Sequence, residues 1–315
     1  MEPFEVSNSS LSTIARCDAE YVLRYIHRYD STEEQAATKS GSAGHEALAA
    51  YFRGLSREAA LDVFDQQYKA WAEANVEDDK GRFTHANMRR VVELWLESHP
   101  IDSLPYKVPD SQFVEINFKQ PLTPEGDIVL KGIMDLAIVD TDGDLVPLDH
   151  KFTGRVDLGW VKGFRNDSQM SGYIWTAGQH FGKQLLKGYV NAIQASKLPT
   201  SDRKCKDHGV PYSECQFKHA VSKLILINRV PDQLEDWRQS AVYLARRMLK
   251  LRDKFSRIED IHQVKTQGAF LRACSSCAFS QFCGTGRSVQ YVDSILKKRE
   301  ERHDSAVQAK EEATA

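Results

Sequence analysis

GIMDLAIVDTDGDLVPLDHKF, residues 132–152, decides how the chain is read. Two runs rich in Val, Ile and Leu flank Asp142-Gly143, a strong hairpin signal. Strands are therefore expected over residues 128–140 and 144–152. Asp135 falls on the first strand, and Asp149 and Lys151 on the second. A turn at Asp142-Gly143 sets Asp135 opposite position 149 or 150, depending on register. Directly opposed Cβ atoms lie about 4.5–5.5 Å apart. Asp149 and Lys151, two residues apart, share one face of their strand. Two carboxylates and an ammonium group can thus converge within one hairpin. Carboxylates so close repel each other unless a divalent cation lies between them, and hard oxygen donors suit Mg²⁺ or Mn²⁺. Such an ion polarises a phosphodiester and acidifies a bound water, and Lys151 can orient that water or stabilise the charge that develops. A merely polar, solvent-exposed strand face would carry the same residues.

Working outward, residues 112–118 form a third expected strand and residues 224–228 a fourth. Helices are expected over residues 14–29, capped by Ser12 or Thr13, and over 56–75, capped by Ser56. Two more are expected over 84–98 and 168–181, and a long one over 232–257. Residues 41–52, GSAGHEALAAYF, read as a glycine-containing turn leading into a helix. Helices around a strand-rich centre indicate an α/β domain with a central mixed sheet. That domain is expected over residues 1–290, and residues 291–315 read as a charged helical or disordered tail.

Composition narrows the class. The 315 residues are 41% hydrophobic and 10% aromatic, ordinary for a globular protein. No apolar stretch approaches the roughly 20 residues that span a bilayer, and MEPFEVSNSS is no signal peptide. A cytoplasmic protein with no membrane partner is expected. A net charge of −2 means that any nucleic-acid contact must come from a local basic patch. Lys131, Arg155, Lys162, Arg165, Arg203 and Lys204 lie near the elements above.

Clustered cysteines among the six, in a reducing compartment, favour metal ligation over disulfides. Cys274, Cys277 and Cys283 form a C-x2-C-x5-C run that lacks a fourth ligand, for which Cys17 is the candidate. Four thiolates suit either a zinc ion or an iron–sulfur cluster. Cys205, His208, Cys215 and His219 have spacings that allow a separate zinc site, and an incidental surface loop would look the same.

The ordered set His45, Asp135, Asp149-His150-Lys151, Gln169-x-x-x-Tyr173 resembles the RecB-like branch of the PD-(D/E)xK nucleases. Glu115, in FVEINF, matches an acidic position often found upstream of the first Asp. The resemblance implies a restriction-endonuclease-like core. It implies that His45, Asp135 and Asp149 hold catalytic Mg²⁺ or Mn²⁺ and that Lys151 assists the attacking water. Gln169 and Tyr173 would contact DNA. Where Thr often follows the Lys, this chain has Phe152. Cys17 and the C-terminal run are similar to the ligands of a 4Fe–4S cluster in AddB-type nucleases and CRISPR adaptation exonucleases. There the first Cys is usually followed by Pro, and here by Asp18. A DNA exonuclease of a phage or defence system is implied, with a helicase or other recombination or defence protein as partner. The rival reading is a catalytically silent DNA-binding scaffold on the same fold.

Overall fold

The computed structural model describes residues 2–31, 36–74, 82–195, 209–211, 220–270 and 273–299. The chain begins with β1 (Phe4–Val6), α1 (Asn8–Arg16), α2 (Asp18–Tyr21) and β2 (Tyr29–Ser31). Three longer helices follow, α3 (Ala36–Phe52), α4 (Arg57–Ala74) and α5 (His85–Ser98). Then come β3 (Val114–Pro121), β4 (Ile128–Val139) and β5 (Leu145–Thr153). The short α6 (Leu158–Gly163) and α7 (Ser168–Phe181) precede β6 (Lys187–Ala195) and β7 (Ala220–Asn228). The long α8 (Pro231–Lys254) leads to α9 (Ser280–Gly284), α10 (Val292–Ile295) and β8 (Leu296–Lys298). No described helix is long and apolar enough to cross a membrane.

The chain divides into two compact units. The first comprises Met1–Asn8 and Glu34–Ser240, the second Ser9–Glu33 and Ala241–Ala315. The first unit carries a mixed sheet in the order β1-β4-β5-β6-β7, with β3 on the other side of β4. The β5–β6 pair is parallel, so the chain crosses over between them through α6 and α7. Helices flank this sheet, as an α/β fold requires.

A fork in the sheet positions the charged residues of the hairpin. The antiparallel ladder of β4 and β5 runs from Val139↔Leu145 to Leu136↔Leu148 and ends there. Below that point β5 pairs only with β6, through Thr153. The two hairpin strands therefore separate, and Asp135 and Asp149 stand where they part. Continuing the register sets Asp135 opposite Asp149. The loop that makes the hairpin spans residues 140–144. Gly143 takes a φ of 84°, and Asp140 Oδ1 accepts the backbone N–H groups of Asp142 and Asp144, both at 3.0 Å. Lys187 of β6 fills the centre of this acidic loop, its Nζ lying 2.7, 2.6 and 2.9 Å from Asp140, Asp142 and Asp144.

Several expectations change. α3 is one continuous helix from Ala36, with no turn at Gly41. Its Gly44 lies under the Phe152 ring, where a Cβ would collide with the ring edge. The strand β6 was not foreseen: KGYVNAIQA lies between β5 and β7 with most of its residues buried, and central strands lose their polar alternation. The helix expected over residues 14–29 is broken at Cys17, whose extended backbone (φ −162°, ψ 124°) forms the N-cap position of α2. It also begins earlier, at Asn8, and Thr13 lies inside it, its hydroxyl donating to Ser9 O at 2.9 Å. In the second unit Leu296–Lys298 pairs antiparallel with Tyr29–Ser31, within the segment read as a tail.

Candidate active site and thiol cavity

The fork leaves backbone donors and acceptors without ladder partners, and side chains take their place. His150 donates its backbone N–H to Asp135 Oδ2 at 2.7 Å, a bond that a neighbouring strand carbonyl would otherwise receive. His45, on α3, brings its Nδ1 within 3.1 Å of the same carboxylate oxygen. Asp149 and Lys151 point to the α7 side of β5. Lys151 Nζ lies 3.0 and 2.8 Å from the two oxygens of Asp149 and donates to Gln169 Oε1 at 2.9 Å. Gln169 Nε2 donates to Tyr173 Oη at 2.9 Å, and that hydroxyl donates to Ile133 O at 2.9 Å. The i, i+4 spacing on α7 makes this relay possible. It runs from Asp149 to the β4 backbone and fixes the ammonium group at its centre. Among the described residues both Gln169 and Tyr173 are thus engaged internally, and Tyr173 is buried.

His150 points the other way. Its ring stacks on Phe52 of α3 at 5.7 Å and meets Trp95 of α5 edge-on. Asn191 of β6 lies 2.9 Å from its Nδ1 and itself accepts from Ser222 at 3.2 Å. Burial pushes the His150 imidazole down to about 3, so it is neutral. An amide donor on Nδ1 then leaves the proton on Nε2.

The electrostatics are those of a charge-dense, largely buried site. Burial pushes the Asp149 carboxyl up, and the repulsion of Asp135 adds to it, against the attraction of Lys151. Burial acts on Asp135 as well, but the His45 charge and hydrogen bond and the His150 bond hold it low. Burial opposes the charged form of His45, and the Asp135 carboxylate overcomes it, so the imidazole is raised. Lys151 is raised in the same way, burial being outweighed by Asp149.

Glu115 joins the group. It sits in β3 with a φ of 56°, a left-handed conformation that costs a non-glycine residue in a strand. Val114↔Leu136 and Ile116↔Met134 pair on either side of it. Burial, then the charges of Asp135 and Glu46, pushes its carboxyl up to about 7. Glu115, Glu46, His45, Asp135 and Lys151 line one open cavity of about 630 Å³. Strain and a raised carboxyl at one residue make Glu115 a candidate functional position. The left-handed φ was invisible in FVEINF, because nothing in that stretch distinguishes Glu115 from a surface strand residue.

The donor set suits a hard divalent cation. Asp149 Oδ2 is buried and accepts no hydrogen bond, its nearest partner being the Lys151 ammonium. Two mutually repelling carboxylates with a third close by are what a cation of that kind would relieve. Asp140, Asp142 and Asp144 bring three carboxylates within 4.8 Å of one another. That trio already holds the Lys187 ammonium and lies at the far end of the hairpin.

The second unit gathers the remaining ligand candidates. Cys17, Cys274, Cys277 and Cys283 line one cavity of about 370 Å³, together with Arg16, Glu20 and Arg287. Burial and the neighbouring Cys277 outweigh Arg287 at the Cys283 thiol and push it up to about 11. Asp18 has a structural part here. Its carboxylate is buried and takes the Arg247 guanidinium at 2.6 Å and the Gln267 amide at 2.9 Å, while its N–H donates to Gln267 Oε1 at 3.1 Å. Gly268 faces the Cys17 side chain at ordinary van der Waals distance. Cys17 is thereby held against the 267–287 region without any covalent link. Cys205, His208, Cys215 and His219, with Arg203 and Lys204, lie outside the described residues.

Over residues 5–284 the chain matches the family model of the PD-(D/E)XK nuclease superfamily, and it belongs to that superfamily. No curated protein matches the chain in sequence.

Proposed function

We propose that the chain is a divalent-metal-dependent deoxyribonuclease of the RecB-like branch, acting as an exonuclease on DNA and leaving a 5′-phosphate. The observation that carries the reading is the sheet fork, where Asp135, Asp149, Lys151 and His45 converge on one side-chain cluster. Asp135, Asp149 and His45 would hold Mg²⁺ or Mn²⁺, with Glu115 beside them. The ion would polarise the phosphodiester and supply hydroxide near neutral pH. Lys151 Nζ, held by Asp149 and Gln169, faces the charge that grows on the attacked phosphate. Gln169 would contact DNA from beside Lys151, its amide held by Tyr173.

The four thiols are read as ligands of a structural 4Fe–4S cluster. What supports the reading is that all four thiols line one cavity of about 370 Å³, which has room for an inorganic core and would also admit a tetrahedral zinc. Opening of duplex DNA is left to a helicase or similar partner. The decisive experiment is digestion of end-labelled single- and double-stranded DNA with Mn²⁺, against Asp149→Asn as control. Release of 5′-phosphorylated products by the wild type alone supports the reading, and no cleavage under any divalent ion sinks it.

A further inference from the structure

Between the strand that carries Lys151 and the helix that carries Gln169 lies a segment with no buried residue. Residues 155–167 include α6 and the 3-10 turn Phe164–Asn166, and neither buries a side chain. A short helix with no buried face needs another reason to be ordered. Its ends are pinned. Val156 N–H donates to Gln194 Oε1 at 3.0 Å. The buried Arg229 reaches Asp167 O at 3.1 Å, Phe164 O at 3.4 Å and Ser171 Oγ at 2.8 Å. Asp157 caps α6 through Trp160 N–H, and Asp167 caps α7 through Met170 N–H, both at 2.8 Å.

What this strap displays is chemically specific. Trp160 and Phe164 pack edge to face at 4.6 Å, and neither is buried. Leu158 is 73% exposed. Lys162 and Arg165 are exposed, and among the described residues neither has an ion-pair partner. Unpaired cations interleaved with accessible aromatic rings suit a flexible polyanion with stackable bases. Duplex DNA hides its bases, so the rings favour a single strand. Arg155 follows Lys151 by four residues, at most roughly 14 Å of chain.

We propose that residues 155–167 are a stacking platform for single-stranded DNA at the Asp135–Asp149–Lys151 site. Trp160 and Phe164 stack on bases, and Lys162 and Arg165 contact phosphates. The proposal rests on the nuclease reading and adds to it a preference for a single strand.

The test uses the full chain with Ca²⁺ in place of Mn²⁺ and measures binding of fluorescein-labelled oligodeoxythymidine by anisotropy. Trp160→Ala with Phe164→Ala should weaken binding about 10- to 100-fold with little change in salt dependence. Trp160→Phe should retain most of the affinity. Lys162→Ala with Arg165→Ala should instead flatten the salt dependence, by about 0.7 in log–log slope for each phosphate no longer neutralised. Crosslinks from 5-iododeoxyuridine oligonucleotides on the wild type should map to Trp160 or Phe164, a readout that needs no variant to fold. Unchanged affinity in the double aromatic variant overturns the platform, as do crosslinks confined to other segments. A dimer that dissociates on Trp160→Ala with unchanged DNA affinity also overturns it and gives the face to a second copy. Wild-type protein that neither binds nor cuts DNA defeats the nuclease reading itself. Wild-type cleavage that is indifferent to these substitutions defeats the platform alone.

Discussion

Lys151 is the residue whose removal separates chemistry from structure. Its ammonium group contacts both Asp149 oxygens and Gln169, and it faces the cavity shared with Glu115 and Asp135. Lys151→Ala should lower turnover about 100- to 1000-fold on end-labelled DNA, the range for removing one preorganised electrostatic group. Asp149, already pushed up by burial, takes a proton when its partner is gone, so the melting temperature should move little. Equal turnover in mutant and wild type would remove the fork as the active site. Glu115 yields a pH prediction. Its folded carboxyl titrates at about 7 against an ordinary 4.5, so the folded state holds the proton more tightly than the unfolded one. Its stability contribution is full below the unfolded value and is lost as pH rises through about 7. Metal-free protein should therefore lose stability between about pH 5 and 8, and Glu115→Gln should remove about 1–2 kcal/mol of that loss, allowing for solvent screening. Thermal melts in chelator across that range, with identical slopes for both proteins, would refute the assignment.

At the scale of elements, α3 and β5 are fitted to each other. Gly44 gives up its side-chain space to the Phe152 ring, and that ring lies 5.9 Å from the His45 imidazole, centroid to centroid. Phe152 thus packs against both Gly44 and the His45 imidazole. Gly44→Ala should cost about 1–3 kcal/mol by overpacking. It should also lower activity by shifting His45. Adding Phe152→Leu should recover part of both, a coupling measurable by a double-mutant cycle in denaturant. Strictly additive losses would show that the two positions act separately. The hairpin itself was legible in the sequence because its turn, its alternation and its charged pair are local. The strand β6 was not, because a strand covered on both sides carries no alternation, and KGYVNAIQA looks like either element until its neighbours are known. Glu115 was legible as a position but not as a conformation.

Over the whole molecule, residues near the two ends of the described chain meet in the second unit. Asp18 binds Arg247 and Gln267, Ala19 N–H donates to Lys265 O at 3.1 Å, and Tyr29–Ser31 pairs with Leu296–Lys298. These contacts close a long loop, so a metal centre bridging the same segments and kept on unfolding would constrain the unfolded chain considerably. A cluster on Cys17, Cys274, Cys277 and Cys283 would do so. Cys17→Ser should then lower the melting temperature and abolish broad absorption near about 400 nm together. Brief chelation that strips the divalent ion should stop cleavage and leave that absorption intact. Colourless wild-type protein from anaerobic purification, carrying zinc, would overturn the cluster and keep the thiol site.

The sequence alone determined what local rules control: the hairpin and its charged pair, the apolar periodicity of α4, α5, α7 and α8, and the spacing of the last three cysteines. Each is set within a few residues by alternation, turn chemistry or capping. Tertiary structure decided the rest. It set the register Leu136↔Leu148, which puts Asp135 opposite Asp149 rather than position 150, and it ended the ladder there. It broke α1 from α2 at Cys17 and placed Asp18 against Arg247. It turned Gln169 and Tyr173 inward onto Lys151, because β4 offers the carbonyl of Ile133 at the end of their relay. A fork, a break and an inward turn each depend on a partner far away in the chain, and no local preference encodes where that partner will be.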